Sequence, residues 1–384
     1  MCCKLLNKGQ QIPRFMNIPA PSESRYLLEN LRTDCLHYRG DLPCKPHREF
    51  GVTCTCDKLI PVKRRGVIIK LGAAGDVLRT TPLLRALDPL VSGTKILWVT
   101  HHPELLPKEA CEAVKFNAAT LARLSAEEWD FCWNLDKDVD ACAAAFHVNA
   151  KEQAGYTLVN GVPYPIDERA WHKFATGLDN LYSKNNRLNY VQEIFDIVGL
   201  QYRREEYWLR EPAKKSHEMA ETLLPGSGWV GLNTGAGWRW PTRIWPESHW
   251  VTLIELLKRE GLKPVILGGP EEIELNNRIA SATGCLWTGV HPLDVFYAII
   301  HRCGTLVSSV TQAMHLAIAA KTPLVLFNNI FNEYEFELYG RGEIIGPPKK
   351  CDCFYDPACI TGRNCINEIT PKQTLEAVMR FISI

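Results

Sequence analysis

The stretch Val67-Ile68-Ile69-Lys70-Leu71-Gly72-Ala73-Ala74-Gly75-Asp76-Val77-Leu78-Arg79-Thr80-Thr81-Pro82 constrains the fold more than any other part of the chain. It opens on a short apolar run rich in β-branched residues, which suits a strand buried on both faces of a parallel sheet. Two glycines follow, where a chain can turn sharply or let another group approach closely. Asp76 then falls where a helix should begin, so its carboxylate would project from the carboxyl end of the strand. That edge is where ligands bind in open α/β sheets. A second reading is that Asp76 only caps the helix, as aspartates often do.

The pattern repeats. From 66 to about 210, strands are expected at Gly66–Leu71, Lys95–Thr100 and Trp129–Leu135, with a helix over Asp76–Leu87. A second alternating block starts at Trp229. Strands are expected at Trp229–Asn233, Pro264–Leu267, Thr305–Ser308 and Pro323–Phe327. Helices are expected at Pro246–Glu260, Leu293–Arg302 and Thr311–Ala320. Alternation of this kind implies parallel sheets with helices on both faces. Residues 211–228 mix helix and breaker signals and are taken as the boundary between two doubly wound domains. The expected division is an N-terminal extension over 1–65, a first Rossmann-like domain over 66–212, a second over 213–365, and a last helix within 366–384 that packs back toward the first domain. In the extension, a short helix is expected around Tyr26, Leu27 and Leu31, capped by Ser22 or Ser24.

Composition narrows the function. The chain has 384 residues, enough for two domains, and 46% of them are hydrophobic. Lys and Arg total 44 against 43 Asp and Glu, a balance that argues against a nucleic-acid binder. No apolar run approaches the ~20 residues a membrane-spanning helix needs, and the start of the chain has no apolar signal core. A cytoplasmic location is expected, with peripheral membrane association left open.

There are 15 cysteines, four of them in 35–56 and four in 351–365. In a reducing compartment such clusters suggest metal before disulfide. Cys351, Cys353, Cys359 and Cys365 lie in a turn-rich segment with few large aliphatic residues, so burial alone would not order it. Four thiolates around one zinc or iron would. That site is expected to be structural, remote from the reaction, and to brace the link to the last helix. Two disulfides or free thiols are the alternatives. Cys35, Cys44, Cys54 and Cys56, with His37 and His47, offer a second possible site, or else a loop of free thiols.

Glycine-rich turns at helix N-termini bind phosphate through backbone N–H groups and the helix dipole. Thr234-Gly235-Ala236-Gly237 fits, with Arg243 near it as a charge partner, and Glu271 past the next strand could accept from ribose hydroxyls. Neither glycine stretch is a dinucleotide fingerprint or a P-loop, which counts against a dehydrogenase and an ATPase. Lys151, Arg169, His172, Lys173, Lys184 and Arg187 could hold an anionic acceptor, although solvated surface accounts for most of them.

The stretch from Leu71 to Leu84 resembles the N-terminal signature of the family 9 glycosyltransferases, the ADP-heptose:lipopolysaccharide heptosyltransferases and their relatives. Asn233-Thr234-Gly235-Ala236-Gly237-Trp238, with Arg243-Ile244-Trp245-Pro246 and His249, resembles the family's donor-phosphate motif. Gly268-Gly269-Pro270-Glu271-Glu272 resembles its next loop. Met314-His315-Leu316-Ala317 followed by Pro323 resembles its donor-sugar helix. Tyr339-Gly340-Arg341-Gly342 and the two cysteine clusters resemble a subgroup related to autotransporter heptosyltransferases.

The resemblance implies a GT-B fold, two Rossmann-like domains facing across a cleft. It implies an inverting, metal-independent transfer of a heptose or similar sugar from an ADP-sugar to a hydroxyl. The acceptor would be a glycan such as a lipopolysaccharide core, or a protein. In that scheme Asp76 is the general base and Arg243 stabilises the departing diphosphate. Gly75, Thr234, Gly235, Trp238, Glu271, Thr311, Met314 and His315 bind the donor. Arg243 stands where the family has Lys, and Val310 where it usually has Asp. The second departure opens an alternative, a non-catalytic nucleotide- or carbohydrate-binding relative.

Overall fold

The computed structural model describes residues 29–237 and 240–382, so Trp238 and most of the expected N-terminal helix lie outside the described residues. The chain divides into two compact units, Met1–Val62 and Lys63–Ile384.

The described part of the first unit, residues 29–62, has little regular structure. A short helix, Lys45–Phe50, starts after Cys44 with Pro46 in its first turn, where the missing N–H costs nothing, and stops at Gly51 in the left-handed region. The two ends of the described segment are tied by backbone hydrogen bonds from Leu36 to Ile60 (2.8 Å) and from Val62 to Asp34 (2.7 Å). Cys35, Cys44, Cys54, Cys56, His37 and His47 line one cavity of about 310 Å3.

The second unit contains two six-stranded sheets. The first is built from β1 (Arg64–Ile69), β2 (Thr94–Thr100), β3 (Glu112–Lys115), β4 (Trp129–Asn134), β5 (Ala150–Val159) and β6 (Val162–Pro165). Its order is β3-β2-β1-β4-β5-β6, and every pairing is parallel except the last. β5 and β6 form a hairpin through Asn160-Gly161, both with positive φ, the chemistry a two-residue hairpin turn demands. The second sheet comprises β7 (Trp229–Asn233), β8 (Lys263–Leu267), β9 (Leu286–Trp287), β10 (Thr305–Ser309), β11 (Leu324–Phe327) and β12 (Gly342–Ile345). Its order is β12-β11-β10-β7-β8-β9, all parallel. In both sheets the first strand in sequence is flanked by strands that wind off in opposite directions, β2 and β4 around β1 and β10 and β8 around β7. A crevice opens at such a switch point, outside the carboxyl ends of the strands. β11, expected to close the second sheet, is flanked by β12 at the edge.

The buried strands are apolar on both faces because helices cover both. Ile68, Trp98 and Phe131 lie in one cluster, which continues through Leu83, Ile194 and Phe195 to Ile299, Met314 and Leu316 of the second sheet's helices. Val67, Ile69, Leu97 and Val99 form a separate cluster on the other face. Each such side chain contributes ~1.5–3 kcal/mol by leaving water. The two lobes thus share one continuous hydrophobic cluster.

Two expectations need correction. The helix foreseen over Asp76–Leu87 is two short helices, α1 (Ala74–Leu78) and α2 (Pro82–Leu87). Pro82 lacks the N–H a continuous helix would need, and the hydroxyls of Thr80 and Thr81 donate instead to the carbonyls of Val77 and Leu78 at 2.7 and 2.6 Å. The last helix does not return to the first lobe. This helix, Pro371–Phe381, packs on helix Glu247–Arg259 and on strands β10, β11 and β12. Its apolar face, with Ala377 and Val378, joins Trp245, Trp250, Phe327 and Ile369 in the core of the second lobe.

Candidate active site

β1 runs into Lys70, Leu71 and Gly72, and the turn that follows is held from below by Asp136, just past β4. Asp136 accepts hydrogen bonds from the backbone N–H of Leu71 (3.0 Å) and Gly72 (3.3 Å) through one carboxylate oxygen. The other oxygen lies 3.2 Å from the Lys70 ammonium. Lys70 is 4% exposed. Burial works against its charge, but Tyr190 together with the carboxylates of Asp76 and Asp136 outweighs that and pushes its pKa above the usual lysine range.

Asp76 is not the helix cap. Ala73 occupies that position with no side-chain bond, and Asp76 is the third residue of α1. Its carboxylate instead receives Arg79 Nε at 3.0 Å and Nη2 at 2.8 Å. Burial alone would raise the Asp76 pKa. The charges of Arg79 and Lys70 overcome it and hold the carboxyl at about 2, so it is ionised at neutral pH. Arg79 also stacks on the Tyr190 ring at 3.4 Å and donates to Glu335 at 2.9 Å.

These groups form one wall of a cavity of about 490 Å3. Lys137, Lys173, Tyr156, Asn186, Asn332 and Tyr355 line it as well. Lys173 is neutralised by the buried Glu193 at 2.7 Å. Lys137 donates to the Lys173 carbonyl, and burial together with the Lys173 and Lys70 charges pushes it down to about 8. Of the basic residues between 151 and 190 weighed for an anionic acceptor, Lys173 is the one in this cavity. Lys151 and Arg169 are paired with Asp130 and Asp167 near the surface.

The second lobe presents its own edge. The Asn233 amide at the end of β7 donates to the Gly235 carbonyl, Ser308 Oγ and Thr311 Oγ1, at 3.1–3.4 Å. That fan ties the glycine-rich turn to the turn before helix Gln312–Ala320. Arg243 cross-braces the same two turns, donating to Ala236 O at 2.6 Å and to Val310 O. It is 6% exposed, and its buried Nε has no partner. None of the described ion pairs engages its guanidinium, and burial pushes its pKa down to about 10. A buried cation with spare donors between two phosphate-type turns suits a diphosphate.

The other expected donor residues are placed unevenly. Thr234 donates to Asn276 at 2.6 Å, so its hydroxyl is already engaged. Glu271 is exposed. Its neighbour Glu272 binds the Gly269 N–H at 2.8 Å and occupies the space beside Gly235. Met314 is wholly buried in the core. His315 crosses to the first lobe, with its ring against Gly75 and Nδ1 3.4 Å from the Tyr207 hydroxyl. Burial pushes it down to about 3, so it is neutral.

At the C-terminal cluster, the Cys353 and Cys359 sulfurs are 3.9 Å apart, and the Cys353 backbone N–H donates to Cys351 Sγ at 3.4 Å. Among the described residues no three His, Cys, Asp or Glu side chains are arranged to hold a metal ion. The cluster is not remote from the cavity, as had been expected. Tyr355, two residues past Cys353, lines it. Sequence reasoning missed Lys70, Arg79, Tyr190, Glu335 and Tyr355, whereas the acids that end the Trp129 strand, Asp136 and Asp138, do face the cavity as their place at the strand end suggests. Lys70 and Arg79 flank the glycine turn and carry a weak local signal. Nothing in the sequence joins Arg79 to Glu335, 256 residues away.

Two parallel Rossmann-like lobes, with the polar cavity and the buried Arg243 at their carboxyl edges, give the chain a fold similar to that of the GT-B glycosyltransferases. Residues 169–333 match the model of glycosyltransferase family 9 (heptosyltransferase). A family 9 glycosyltransferase from Veillonella parvula superposes with a TM-score of 0.65 at 16% identity, over 83% of this chain and 97% of that one. The E. coli heptosyltransferase WaaC with ADP-2-deoxy-2-fluoro heptose gives 0.57 at 16%, over 82% and 99%. The iron-containing dodecameric glycosyltransferase TibC from enterotoxigenic E. coli gives 0.51 at 12%, over 83% and 76%. A search of curated proteins returned no match. No helix among the described residues is long and apolar enough to cross a membrane.

Proposed function

We propose that this chain transfers a heptose, or a similar sugar, from an ADP-sugar to a hydroxyl acceptor with inversion and without a catalytic metal. The observation that carries the proposal is the pairing of the ionised Asp76 in an acceptor-sized polar cavity with Arg243, a buried cation free of carboxylates, at the facing phosphate-type turns. Asp76 accepts the proton of the acceptor hydroxyl as that oxygen attacks the sugar C1. Arg243 and the backbone of 234–237 stabilise the charge that grows on the diphosphate as it leaves. The ADP-heptose analogue bound by WaaC supports the donor class. The acceptor is a glycan of lipopolysaccharide-core type or a protein, and the reaction is cytoplasmic. Replacing Asp76 by Asn is expected to lower kcat by about 10²–10⁴-fold, the usual contribution of a general base. Full activity in that variant would remove Asp76 from the role.

A second reading, a non-catalytic binding relative, is favoured by Val310 and by the ion pair that keeps Asp76 weakly basic. Turnover of an ADP-sugar with acceptor extract rules it out. An inert wild type whose Val310→Asp variant turns over supports it.

The iron in TibC and the approach of the Cys353 sulfur to that of Cys359, 3.9 Å, support one structural zinc or iron held by Cys351, Cys353, Cys359 and Cys365. The Cys359 thiol is drawn down to about 6 by the Asn364 backbone N–H and the Thr361 hydroxyl, which favours the thiolate that metals bind. Its binding energy would appear as order in 351–365.

A further inference from the structure

A continuous line of polar contacts leads from the cysteine-rich segment to Asp76. The Tyr355 hydroxyl donates to Glu335 Oε2. Glu335 Oε1 accepts from Arg79 Nη1 at 2.9 Å. Arg79 presents Nε and Nη2 to Asp76 Oδ1 at 3.0 and 2.8 Å. The Arg79 and Glu335 side chains are 15% and 12% exposed, so water competes little for these bonds. Asp76 and Arg79 belong to the first lobe, whereas Glu335 and Tyr355 follow β11 in the second. Tyr355 is itself seated by its backbone N–H on the Ile330 carbonyl (3.0 Å) and by the Phe331 ring (5.0 Å).

We propose that Glu335 and Tyr355 are positioning residues for Asp76, gripping the far edge of the Arg79 guanidinium so that its near edge fixes the carboxylate at the acceptor cavity. The proposal rests on the reading of Asp76 as the base. A guanidinium is a rigid planar fork, so holding one edge sets the other. Held at one edge alone, Arg79 could turn on its flexible stem and take the carboxylate with it. The same sharing divides the Arg79 charge between two carboxylates. Without Glu335 the whole charge falls on Asp76, which then becomes a still weaker base, further from the operating pH at which a general base works best. The other groups facing Asp76 are Lys70 at the end of β1, the Tyr190 and Tyr207 hydroxyls, neutral His315, and Lys173 across the cavity. Of these, His315 and Lys173 also feel the Glu335 charge; losing it pushes His315 further down, so that ring stays neutral. Because half of the line comes from the second lobe, the base is set only when the lobes are docked.

The test compares wild type with Glu335→Gln, which keeps the shape and removes the charge, and Tyr355→Phe. Two measurements are made on the full chain. Hydrogen exchange of the peptide covering 73–81 needs no turnover. It is expected to quicken several-fold in Glu335→Gln and less in Tyr355→Phe, with β7 and β10 unchanged. Steady-state kinetics with an ADP-sugar should show kcat lower by about tenfold in Glu335→Gln, donor KM within about twofold, and the acid limb of the pH profile moved to lower pH. Unchanged exchange over 73–81 overturns the proposal. So does a loss of kcat that tracks a lower Tm and leaves the acid limb in place, because that marks a structural strut. A wild type that binds ADP but turns over no ADP-sugar defeats the glycosyl-transfer reading instead, and the exchange measurement still decides the bridge.

Discussion

Asp76 has two jobs that pull against each other. A carboxylate pinned by Arg79 and Lys70 is held in place, and the same cations lower its basicity. The pinning has a consequence for stability. A carboxyl whose pKa is lower in the folded chain than in the unfolded one stabilises the fold above its unfolded value, and that stabilisation disappears as pH falls through the folded value. Asp76→Asn is therefore expected to have a lower Tm than wild type near pH 7. The gap should close between about pH 4, the unfolded aspartate value, and about pH 2. Thermal melts of both proteins across that window check the sign. A gap that widens toward acid would contradict the ion pair.

Gly75 makes a second prediction at this scale. A Cβ there would lie 2.6 Å from His315 Cδ2 and 2.7 Å from Nε2, closer than such contacts occur. His315 is buried between the lobes and cannot swing into solvent. Gly75→Ala is expected to cost about 1–3 kcal/mol, the usual range for overpacking, measured by denaturant unfolding, and to loosen the contact between helix Gln312–Ala320 and α1. A neutral substitution would mean that the ring has room to shift.

Among the elements, the last helix shows how a local pattern can be sound and its partner still unknown. Pro371–Phe381 has a helix start at Thr370, whose hydroxyl accepts from the Gln373 N–H at 3.2 Å, and one apolar face. That much is written in eleven residues. The face is filled by a cluster around Trp245, which is 1% exposed and donates its indole N–H to the Ile369 carbonyl at 2.8 Å. Trp245→Ala would empty that space and orphan the carbonyl. It is expected to destabilise the protein by about 3–5 kcal/mol. Because the helix is anchored in the same cluster, limited proteolysis of the variant should cut near residue 370 first. Cleavage confined to the first unit would show that Trp245 does not hold the helix.

For the whole molecule, the second unit is two similar lobes that share one hydrophobic cluster and exchange polar contacts around Asp76. The cysteine-rich segment contributes to that junction through Tyr355. If one structural metal orders 351–365, protein purified without added metal carries close to one equivalent of zinc plus iron, as tight structural sites do. Stripping it should quicken exchange around Tyr355. Less than about a tenth of an equivalent in reduced full-length protein would defeat the site. A second equivalent would point to Cys35, Cys44, Cys54 and Cys56, which share one cavity in the first unit.

The sequence by itself determined the two alternating blocks, the bounds of most core strands to within a residue or two, and the glycine-rich turns that begin each block. It also singled out Asp76 and Arg243. These features are legible because the information is local: apolar runs, turn residues and helix starts act over a few neighbouring positions. Even the missed break at Thr80-Thr81-Pro82 was local, a proline whose lost N–H outweighed a favourable helical period. Only the tertiary structure decided that the last helix covers the second lobe, and that Lys70 and Asp136 brace the turn. It alone joined Arg79 to Glu335 and Tyr355. An apolar helix face fits any apolar surface of the right shape, and a lone charge does not encode its partner. Those pairings are chosen when the lobes pack, because desolvated charges near the junction must find each other wherever the chain has placed them.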